Sequence, residues 1–276
     1  MSSYLITGAG RGIGLELTKQ LAQQDQSKVS RIIATNRGQP SSALSDLVAA
    51  SDDRVVFVSC DVTDAASVEK AVELIAPKLD RDGLDVLINN AGTQTAYPDG
   101  ICSMPDDQFL QNLDINVVSV HRITSALLPL LRKGTAKKIV NMYAQFAASM
   151  LMTTNKQLTI ITRSSTLGSI SYAPNFAFAP LPAYKVTKAA LNMLTVQYAQ
   201  ELAKDGFTIL AVSPGWLKTD LGSSYADLEV ESGVRATLEV IFNASPASNG
   251  KFLNVHVPDW EEAEIAHRYD GDEIPW

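Results

Sequence analysis

The sequence predicts an α/β protein with a doubly wound parallel sheet of about seven strands and helices on both faces. Short runs rich in β-branched residues alternate with segments of helical periodicity along the 276-residue chain. Such alternation favours a parallel sheet, because each helix carries the chain back to the edge where the next strand starts. The candidate strands are YLIT, RIIAT, RVVFVS, LDVLINN, a disputed fifth strand, FTILAVS and GKFLNV.

Three segments between the strands have apolar residues at helical spacing, which predicts helices there. They are GIGLELTKQLAQQ, DAASVEKAVELIAPKL and AYKVTKAALNMLTVQYAQELAKDG. Since no repeat, low-complexity tract or linker interrupts the order, residues 1–276 are interpreted as one domain. Residues 255–276 form a polar tail with aromatic residues, and we expect this tail to pack along the edge of the sheet.

Composition excludes several classes of partner. The net charge of −7 argues against nucleic acid or an anionic membrane as the main partner. The composition, with 46% hydrophobic and 19% charged residues, is ordinary for a globular protein. No apolar run approaches the roughly 18 residues of a membrane helix, and no signal peptide is expected before the first strand. Cys60 and Cys102 are too few for a disulfide framework, so we expect a reduced, cytoplasmic setting.

A glycine-rich stretch, ITGAGRGIGLEL, follows the first strand and opens the first helix. Gly8, Gly12 and Gly14 allow a tight turn and a close approach of the main chain to a pyrophosphate at the helix N-terminus. The alternative is a tight strand–helix turn without a ligand. The position after strand one and before an amphipathic helix favours dinucleotide binding.

The second strand indicates which dinucleotide is bound. It ends in Asn36-Arg37-Gly38, with no acid to bind a ribose 2′-hydroxyl. Arg37 and Arg11 suit a 2′-phosphate, which favours NADPH over NADH; the alternative is that both are solvated surface charges. Asp61, after the third strand, is placed to meet an adenine edge or, alternatively, to cap the helix of TDAASVEK.

A Tyr184-x-x-x-Lys188 pair lies at the start of a long predicted helix, so both side chains share one face. An ammonium beside a phenol favours the phenolate, and we therefore expect Lys188 to lower the pKa of Tyr184. Two further motifs follow strands: NNAG, at residues 89–92, after the fourth, and SPGWLKTD after the sixth.

These four motifs, in this order and spacing, resemble the short-chain dehydrogenase/reductase family over nearly the whole chain. The stretches PGWLKTDLG and YDGDEIPW are most similar to sniffer-type carbonyl reductases, C-factor-like proteins and fungal norsolorinic acid ketoreductase-type enzymes. The resemblance implies a single NADP-binding Rossmann domain. It also implies pairing through the Tyr184 helix and the next one, as a homodimer or homotetramer, although some members with an enlarged serine–tyrosine segment are monomeric.

The resemblance implies four catalytic residues. Tyr184 would give a proton to the carbonyl oxygen, and Lys188 would hold the nicotinamide ribose hydroxyls and tune Tyr184. Ser165 would orient and polarise the carbonyl, and Asn116 would link Lys188 to a proton-relay water. Motif and resemblance together indicate as cofactor-binding residues Gly8, Arg11, Gly12, Ile13, Gly14, Arg37, Asp61, Val62, Asn90, Ala91, Gly92, Tyr184, Lys188, Pro214, Gly215 and Thr219.

One stretch departs from the family pattern, in which the fifth strand runs directly into the serine pair. Here KKIVNM stops at Met142 and SSTLGS resumes at Ser164, which leaves residues 143–163 as an atypical insertion. In one interpretation KKIVNM is the strand and the insertion loops out. In a second, QLTIIT takes the place in the sheet and KKIVNM is an extra apolar segment.

A third interpretation is that residues 143–163 are an unspliced intron. The codons of Met142 and Tyr143 place G next to T at their junction, AGA and AGG are codons for Arg163, and Leu158-Thr159 is compatible with a branch site. Removal keeps the reading frame and restores the family pattern around Ser165. Our hypothesis is that this span is absent from the functional enzyme.

The expected substrate is uncharged. We expect a largely apolar cleft without converging Arg or Lys, which suits a ketone, an aldehyde or a polycyclic aromatic carbonyl compound. The segments expected to form it are LGSISYAPNFAFAPLPA, TQTAYPDG, Trp216 and LGSSYADLEV. The alternative is that these aromatic residues are core or lid packing. His121, His256 and His267 are not expected to meet cysteines or carboxylates, so no metal site is predicted.

The sequence therefore predicts an NADPH-dependent carbonyl reductase, with a role in secondary metabolism as a further hypothesis. Two alternatives stay open: an alcohol dehydrogenase that works oxidatively, and a non-catalytic dinucleotide-sensing regulator on the same fold. A complete set of proton-donor and orienting residues disfavours the regulator. A serine hydrolase is rejected because no GxSxG motif is present.

Overall fold

The computed structural model describes residues 1–79, 82–143, 165–222 and 224–276, apart from the side chains of Ser165 and Ala266. Its sheet has seven parallel strands in the order β3-β2-β1-β4-β5-β6-β7, so the order reverses between β1 and β4. Crevices at such a reversal bind ligands at the carboxyl ends of the strands. The strands are β1 Ser2–Thr7, β2 Val29–Asn36, β3 Val55–Ser59, β4 Val86–Asn89, β5 Lys138–Met142, β6 Thr208–Ser213 and β7 Phe252–Asn254.

Helices cover both faces of the sheet. Neighbouring residues of β1 show this directly: Leu5 is buried in the apolar cluster on one face and Ile6 in the cluster on the other. No helix in the described ranges is both long enough and apolar enough to span a membrane. The helices are α1 Gly12–Ala22, α2 Ser42–Ala49, α3 Ala65–Ile75, α4 Asp106–Leu113, α5 Ser119–Leu131, α6 Pro182–Glu201 and α7 Val230–Asn243.

The disputed fifth strand is KKIVNM. Residues Lys138–Met142 pair in parallel with β4 on one side and β6 on the other. Asn141 accepts from Asn89 Nδ2 and donates to Thr195 Oγ1, each at 2.9 Å, which ties β5 to β4 and α6. The interpretation that gave this place to QLTIIT was therefore wrong, because both neighbours are already paired with β5. Residues 144–164, which contain QLTIIT, lie outside the described ranges.

The tail, residues 255–276, packs along the edge of the sheet beside β7, as expected. Leu253 of β7 forms an antiparallel bridge with Glu273, and Ile274 N donates to Phe252 O at 2.7 Å. The tail therefore covers hydrogen-bonding groups of β7 that would otherwise form an open edge.

Candidate active site

A cleft of about 430 Å³ opens at the carboxyl ends of β1, β2, β3 and β4, where the strand order reverses. It contains most of the residues predicted to bind the cofactor, namely Gly8, Arg11, Gly12, Ile13, Gly14, Arg37, Asp61, Val62, Asn90, Ala91, Gly92 and Thr219. Sequence reasoning missed further lining residues, namely Gly10, Asn36, Cys60, Thr63, Thr93, Ile115, Asp220 and Leu221.

The glycine loop closes tightly on its neighbours. A Cβ atom added at Gly14 would lie 2.3 Å from the main-chain oxygen of Gly8 and 2.6 Å from Asn90 Nδ2. Asn90 Nδ2 in turn donates to the oxygens of Thr7 at 2.9 Å and Gly8 at 3.2 Å. Since α1 begins at Gly12, its free N–H groups face the cleft that the loop lines, an arrangement that fits a pyrophosphate.

The end of β2 carries a hydrogen-bond acceptor without a partner among the described residues. Asn36 Oδ1 is buried and lacks a hydrogen-bond partner among the described residues, and Asn36 lines the cleft beside Arg37. Across the cleft, Arg11 forms an ion pair with Asp220 at 3.0 Å, and both side chains are largely exposed. Asn36 could have been noticed in the sequence, because it occupies the terminal position of β2.

Asp61 forms a local turn. Its Oδ1 accepts from Thr63 Oγ1 at 2.7 Å and from Thr63 N at 3.0 Å, and these two bonds lower the pKa of the Asp61 carboxyl. The N-cap of α3 is Asp64, which accepts from Ala66 N, so the alternative in which Asp61 caps this helix was wrong. The contact of Asp61 with an adenine edge stays a prediction.

Tyr184 and Lys188 lie in the first two turns of α6 and are almost completely buried, with 2% and 5% of their surface exposed. Lys188 Nζ lies 5.5 Å from the centroid of the Tyr184 ring and donates to Met142 O at 3.2 Å. Burial raises the pKa of Tyr184 and lowers the pKa of Lys188 to about 7. The expectation that Lys188 lowers the Tyr184 pKa was wrong, because desolvation disfavours the charged forms of both side chains.

Tyr143, the residue directly after β5, also contacts Lys188 and was missed by sequence reasoning. Its ring is fully buried, the centroid lies 4.8 Å from Lys188 Nζ, and its hydroxyl donates to Lys188 O at 3.4 Å. Burial raises the pKa of Tyr143 as well. The only signal in the sequence was an aromatic residue where the family pattern has a small serine.

Asn116 lies in a π-helical segment, Asp114–Val118, between α4 and α5. Its side chain bonds to both main-chain groups of Thr93 at 2.8 Å, and Nδ2 also donates to Thr187 Oγ1 at 3.0 Å. Asn116 therefore joins the cleft floor to α6 at the residue before Lys188, and its predicted relay to Lys188 through a water stays a prediction.

Ser165 begins a short 3₁₀ turn, Ser165–Gly168, and its side chain lies outside the described part of the structure. The turn packs closely on α6, because a Cβ atom added at Gly168 would lie 2.8 Å from Lys188 Cβ. This contact brings the main chain after Ser165 next to the Tyr184–Lys188 turns.

The β6–α7 loop, described over residues 214–222 and 224–229, follows the sixth strand. Thr219 reaches the cleft, whereas Pro214 and Gly215 are buried at the loop's start, Gly215 with a positive φ of 84°. Trp216 is fully buried and donates through Nε1 to Gly222 O at 2.6 Å. The prediction that Trp216 forms a wall of the substrate cleft was therefore wrong, and the alternative of internal packing holds for this residue.

Two histidines contact carboxylates, contrary to the sequence expectation. His267 Nδ1 lies 2.8 Å from Asp227 Oδ2, and His256 Nε2 lies 2.9 Å from Glu261 Oε1. The tail turns back on itself and on the β6–α7 loop, which sequence spacing does not reveal. Within the described ranges, no three His, Cys, Asp or Glu side chains form a group that could hold a metal ion.

Comparison with known proteins agrees with this geometry. The family model described as short chain dehydrogenase matches residues 3–150, and the model described as Enoyl-(Acyl carrier protein) reductase matches residues 143–247. Among solved structures, an NADPH-bound carbonyl reductase from chicken fatty liver is 27% identical, with a TM-score of 0.81, over 100% of this chain and 94% of that chain. The carbonyl reductase Sniffer of D. melanogaster is 27% identical, with a TM-score of 0.80, over 100% of both chains.

A curated relative extends the match to fungi. The short-chain dehydrogenase/reductase AacuF of Aspergillus aculeatus is 32% identical over 286 residues, which cover 93% of this chain and 98% of the relative. The resemblance drawn from the four sequence motifs is confirmed. Because one family model matches more than half of the chain and a relative matches nearly all of it, the chain belongs to the short-chain dehydrogenase/reductase family.

Proposed function

We propose that this enzyme reduces a ketone or aldehyde to an alcohol with NADPH. The observation that carries the proposal is the burial of Tyr184 and Lys188 together at the start of α6, beside the turn that Ser165 begins. A buried phenol with a raised pKa keeps its proton at neutral pH, which suits a proton donor. Two of the similar solved structures are of carbonyl reductases, which supports the same reaction here.

The cleft residues fit a nicotinamide dinucleotide. The close approach of Gly14 to Gly8 leaves no room for a side chain where a pyrophosphate would meet the start of α1. The unpaired Oδ1 of Asn36 and the guanidinium groups of Arg37 and Arg11 offer polar contacts at the adenosine end, and we assign the 2′-phosphate to the arginines. When bound, the reduced nicotinamide supplies the hydride.

In this proposal four residues at and beside α6 each have a role. Tyr184 donates its proton to the carbonyl oxygen, and Ser165 orients that oxygen. Lys188 would hold the ribose hydroxyls of the cofactor. Asn116 bonds to Thr93 and Thr187, and thereby keeps the cleft floor against α6. The contribution of the chain is position and a desolvated site, where each polar contact is stronger than in water.

We propose an apolar or aromatic carbonyl substrate. The segment before α6, residues 165–181, packs Leu167, Phe176 and Leu181 around Tyr184, and Phe178 stays partly exposed. Tyr97 N donates to Pro180 O at 2.7 Å, which places the loop after Gly92 against this segment. A role in secondary metabolism is a further part of this proposal, and a cytoplasmic location is supported by the two unpaired cysteines.

We also propose self-association as a homodimer or homotetramer. Val118, next to α5, and Val186 and Met193 of α6 are exposed, and an apolar helix face that stays in water favours an interface. Light scattering of the purified protein tests this, and a monomer at micromolar concentration would contradict it.

The test of the reaction is a panel of apolar ketones and aldehydes, assayed by NADPH consumption with the wild-type chain and Tyr184→Phe. We expect turnover with at least one aromatic carbonyl compound, and a loss of about 10²-fold or more in kcat in the variant with NADPH binding retained. Equal turnover in the two proteins would contradict the role of Tyr184.

A further inference from the structure

One contact of the tail is with the β6–α7 loop. The hydroxyl of Tyr269 donates to Asp227 Oδ2 at 2.5 Å and accepts from Trp216 N at 3.2 Å, and His267 Nδ1 lies 2.8 Å from the same carboxylate oxygen. Tyr269 has no exposed surface, and the Asp227 side chain is only 6% exposed.

These bonds act where the loop leaves the sheet. Gly215 has a positive φ, and a Cβ atom added there would lie 3.4 Å from Tyr269 Cε1. The loop is closed by a bridge between Leu217 and Leu228, the neighbour of Asp227. Tyr269 therefore contacts both the start and the end of the loop that carries Thr219 into the cofactor cleft.

The second contact of the tail is with the segment before α6. Ser169 Oγ donates to Pro275 O at 2.5 Å, and Ser171 donates to Trp276 O through Oγ at 2.8 Å and through its main-chain N–H at 3.2 Å. Ser169 is buried and lies four residues after Ser165, so this contact holds the turn that leads from the predicted catalytic serine.

Aromatic stacking extends the second contact to the sheet. The Trp276 ring stacks on Phe252 of β7 with centroids 5.6 Å apart, and Phe252 is fully buried. This contact involves no residue of the span 143–163. Between its two contacts the tail is hydrogen-bonded to the β7 edge, so it is held along its length rather than only at its ends.

We propose that the tail couples the two walls of the substrate cleft, the β6–α7 loop and the segment 165–181, and that the tail residues Tyr269 and Trp276 are positioning residues for the reaction. This inference rests on the carbonyl reduction proposed above. Neither residue touches the reacting atoms. Both act on the distance between the β6–α7 loop, which carries Thr219, and the segment 165–181.

Two variants test the coupling, because both lie in the tail and leave the walls unchanged. Tyr269→Phe removes the bonds to Asp227 and Trp216 N, and Trp276→Ala removes the stack on Phe252. We expect each to raise KM for the carbonyl about fivefold or more, with kcat changed less than about twofold. The double variant should raise KM clearly less than the product of the single effects, since both release the same element.

Tyr198→Phe is the matched control. Its hydroxyl also bonds to two side chains, His121 and Ser125, but lies about four turns along α6 from Tyr184. We expect lower stability in this variant with KM unchanged. An equal rise of KM in the control, or a double variant whose KM equals the product of the single effects, would overturn the proposal.

Hydrogen exchange of the full chain separates this proposal from the reaction itself. Tyr269→Phe should speed amide exchange in the distant residues 165–181 as well as in the β6–α7 loop that Tyr269 contacts. Trp276→Ala should likewise speed amide exchange in the distant β6–α7 loop as well as in residues 165–181. Faster exchange confined to the wall nearest each substitution would overturn the coupling. If the wild-type chain turns over no carbonyl compound, the proposed function fails while the exchange result still decides whether the walls are coupled.

Discussion

Arg37 directly follows β2, where an NAD-binding protein would carry an acid, and it lines the cleft beside the unpaired Asn36 Oδ1. We expect Arg37→Gln to weaken NADPH binding about tenfold, because a charge-assisted contact with the 2′-phosphate is lost. NADH binding should be unchanged. Fluorescence titration with each dinucleotide checks this.

Arg31→Gln is the control for this titration, since Arg31 lies at the other end of β2 and donates to Asp53 O. It should bind both dinucleotides as the wild type does. An equal loss of NADPH and NADH affinity in Arg37→Gln would contradict the assignment of the 2′-phosphate.

Lys188 makes the stability of the cofactor-free protein depend on pH. Burial lowers its pKa from 10.5 to about 7, so between these values the unfolded chain binds a proton that the folded chain lacks. Its contribution to the free energy of unfolding therefore rises with pH across this window, by at most about 1.4 kcal/mol per pH unit, and is constant below it.

Urea unfolding of the wild type and Lys188→Met at several pH values within the window measures this contribution. The difference between the two curves should follow the predicted slope, whereas Lys70→Met, on the exposed face of α3, should keep the wild-type slope. A wild-type curve parallel to that of Lys188→Met would show that Lys188 is solvated.

Sequence reasoning reached the glycine loop, Arg37 and the Tyr184–Lys188 pair because each follows from a local motif. It did not reach Asp220 or Tyr143, whose roles depend on residues far away in the chain: Asp220 meets Arg11 across the cleft, and Tyr143 meets Lys188. It also missed the direction of the Tyr184 pKa, since burial is a property of the packed molecule.

At the scale of elements, β5 makes its pairing with both neighbouring strands without any residue of the insertion. It ends at Met142 with both neighbours paired, so a direct connection from Met142 to Ser164 would restore the family pattern. We expect the chain without residues 143–163 to fold, to bind NADPH at least as tightly as the full chain and to reduce carbonyl compounds faster. Parallel titration and turnover assays of the two chains check this.

The deletion also removes Tyr143, which is fully buried. Tyr143→Ser in the full chain is therefore the matched control, and we expect it to lose about 3 kcal/mol of stability because it leaves a cavity. A deletion variant that fails to fold or to bind NADPH would contradict the hypothesis, as would transcripts that retain all codons of this span in most reads.

The sequence could not choose between KKIVNM and QLTIIT because both are short β-branched runs. The position in the sheet depends on pairing partners that are distant in the chain, because Asn141 bonds to Asn89 on one side and to Thr195 on the other. The other strands were predictable, since each is followed by a helical segment or a turn motif of its own.

At the scale of the whole molecule, the fold class was predictable from strand–helix alternation, and the cofactor cleft was predictable from the glycine-rich stretch after the first strand. The structure adds that this cleft lies where the strand order reverses. The arrangement of the tail did not, because its bonds join Asp227 to Tyr269 and Ser169 to Pro275 across the molecule. A polar segment with aromatic residues predicts that it packs somewhere, but not on which loop.

The central claim is that this molecule transfers hydride from NADPH to a carbonyl carbon with Tyr184 as the proton donor. The most direct measurement is mass spectrometry of the alcohol formed from an aromatic ketone with NADPH that carries deuterium at both C4 positions of the nicotinamide. We predict one deuterium on the carbinol carbon with the wild-type chain and only a trace of labelled alcohol with Tyr184→Phe. Tight NADPH binding without labelled alcohol from any carbonyl compound would contradict the account and favour a dinucleotide-sensing protein.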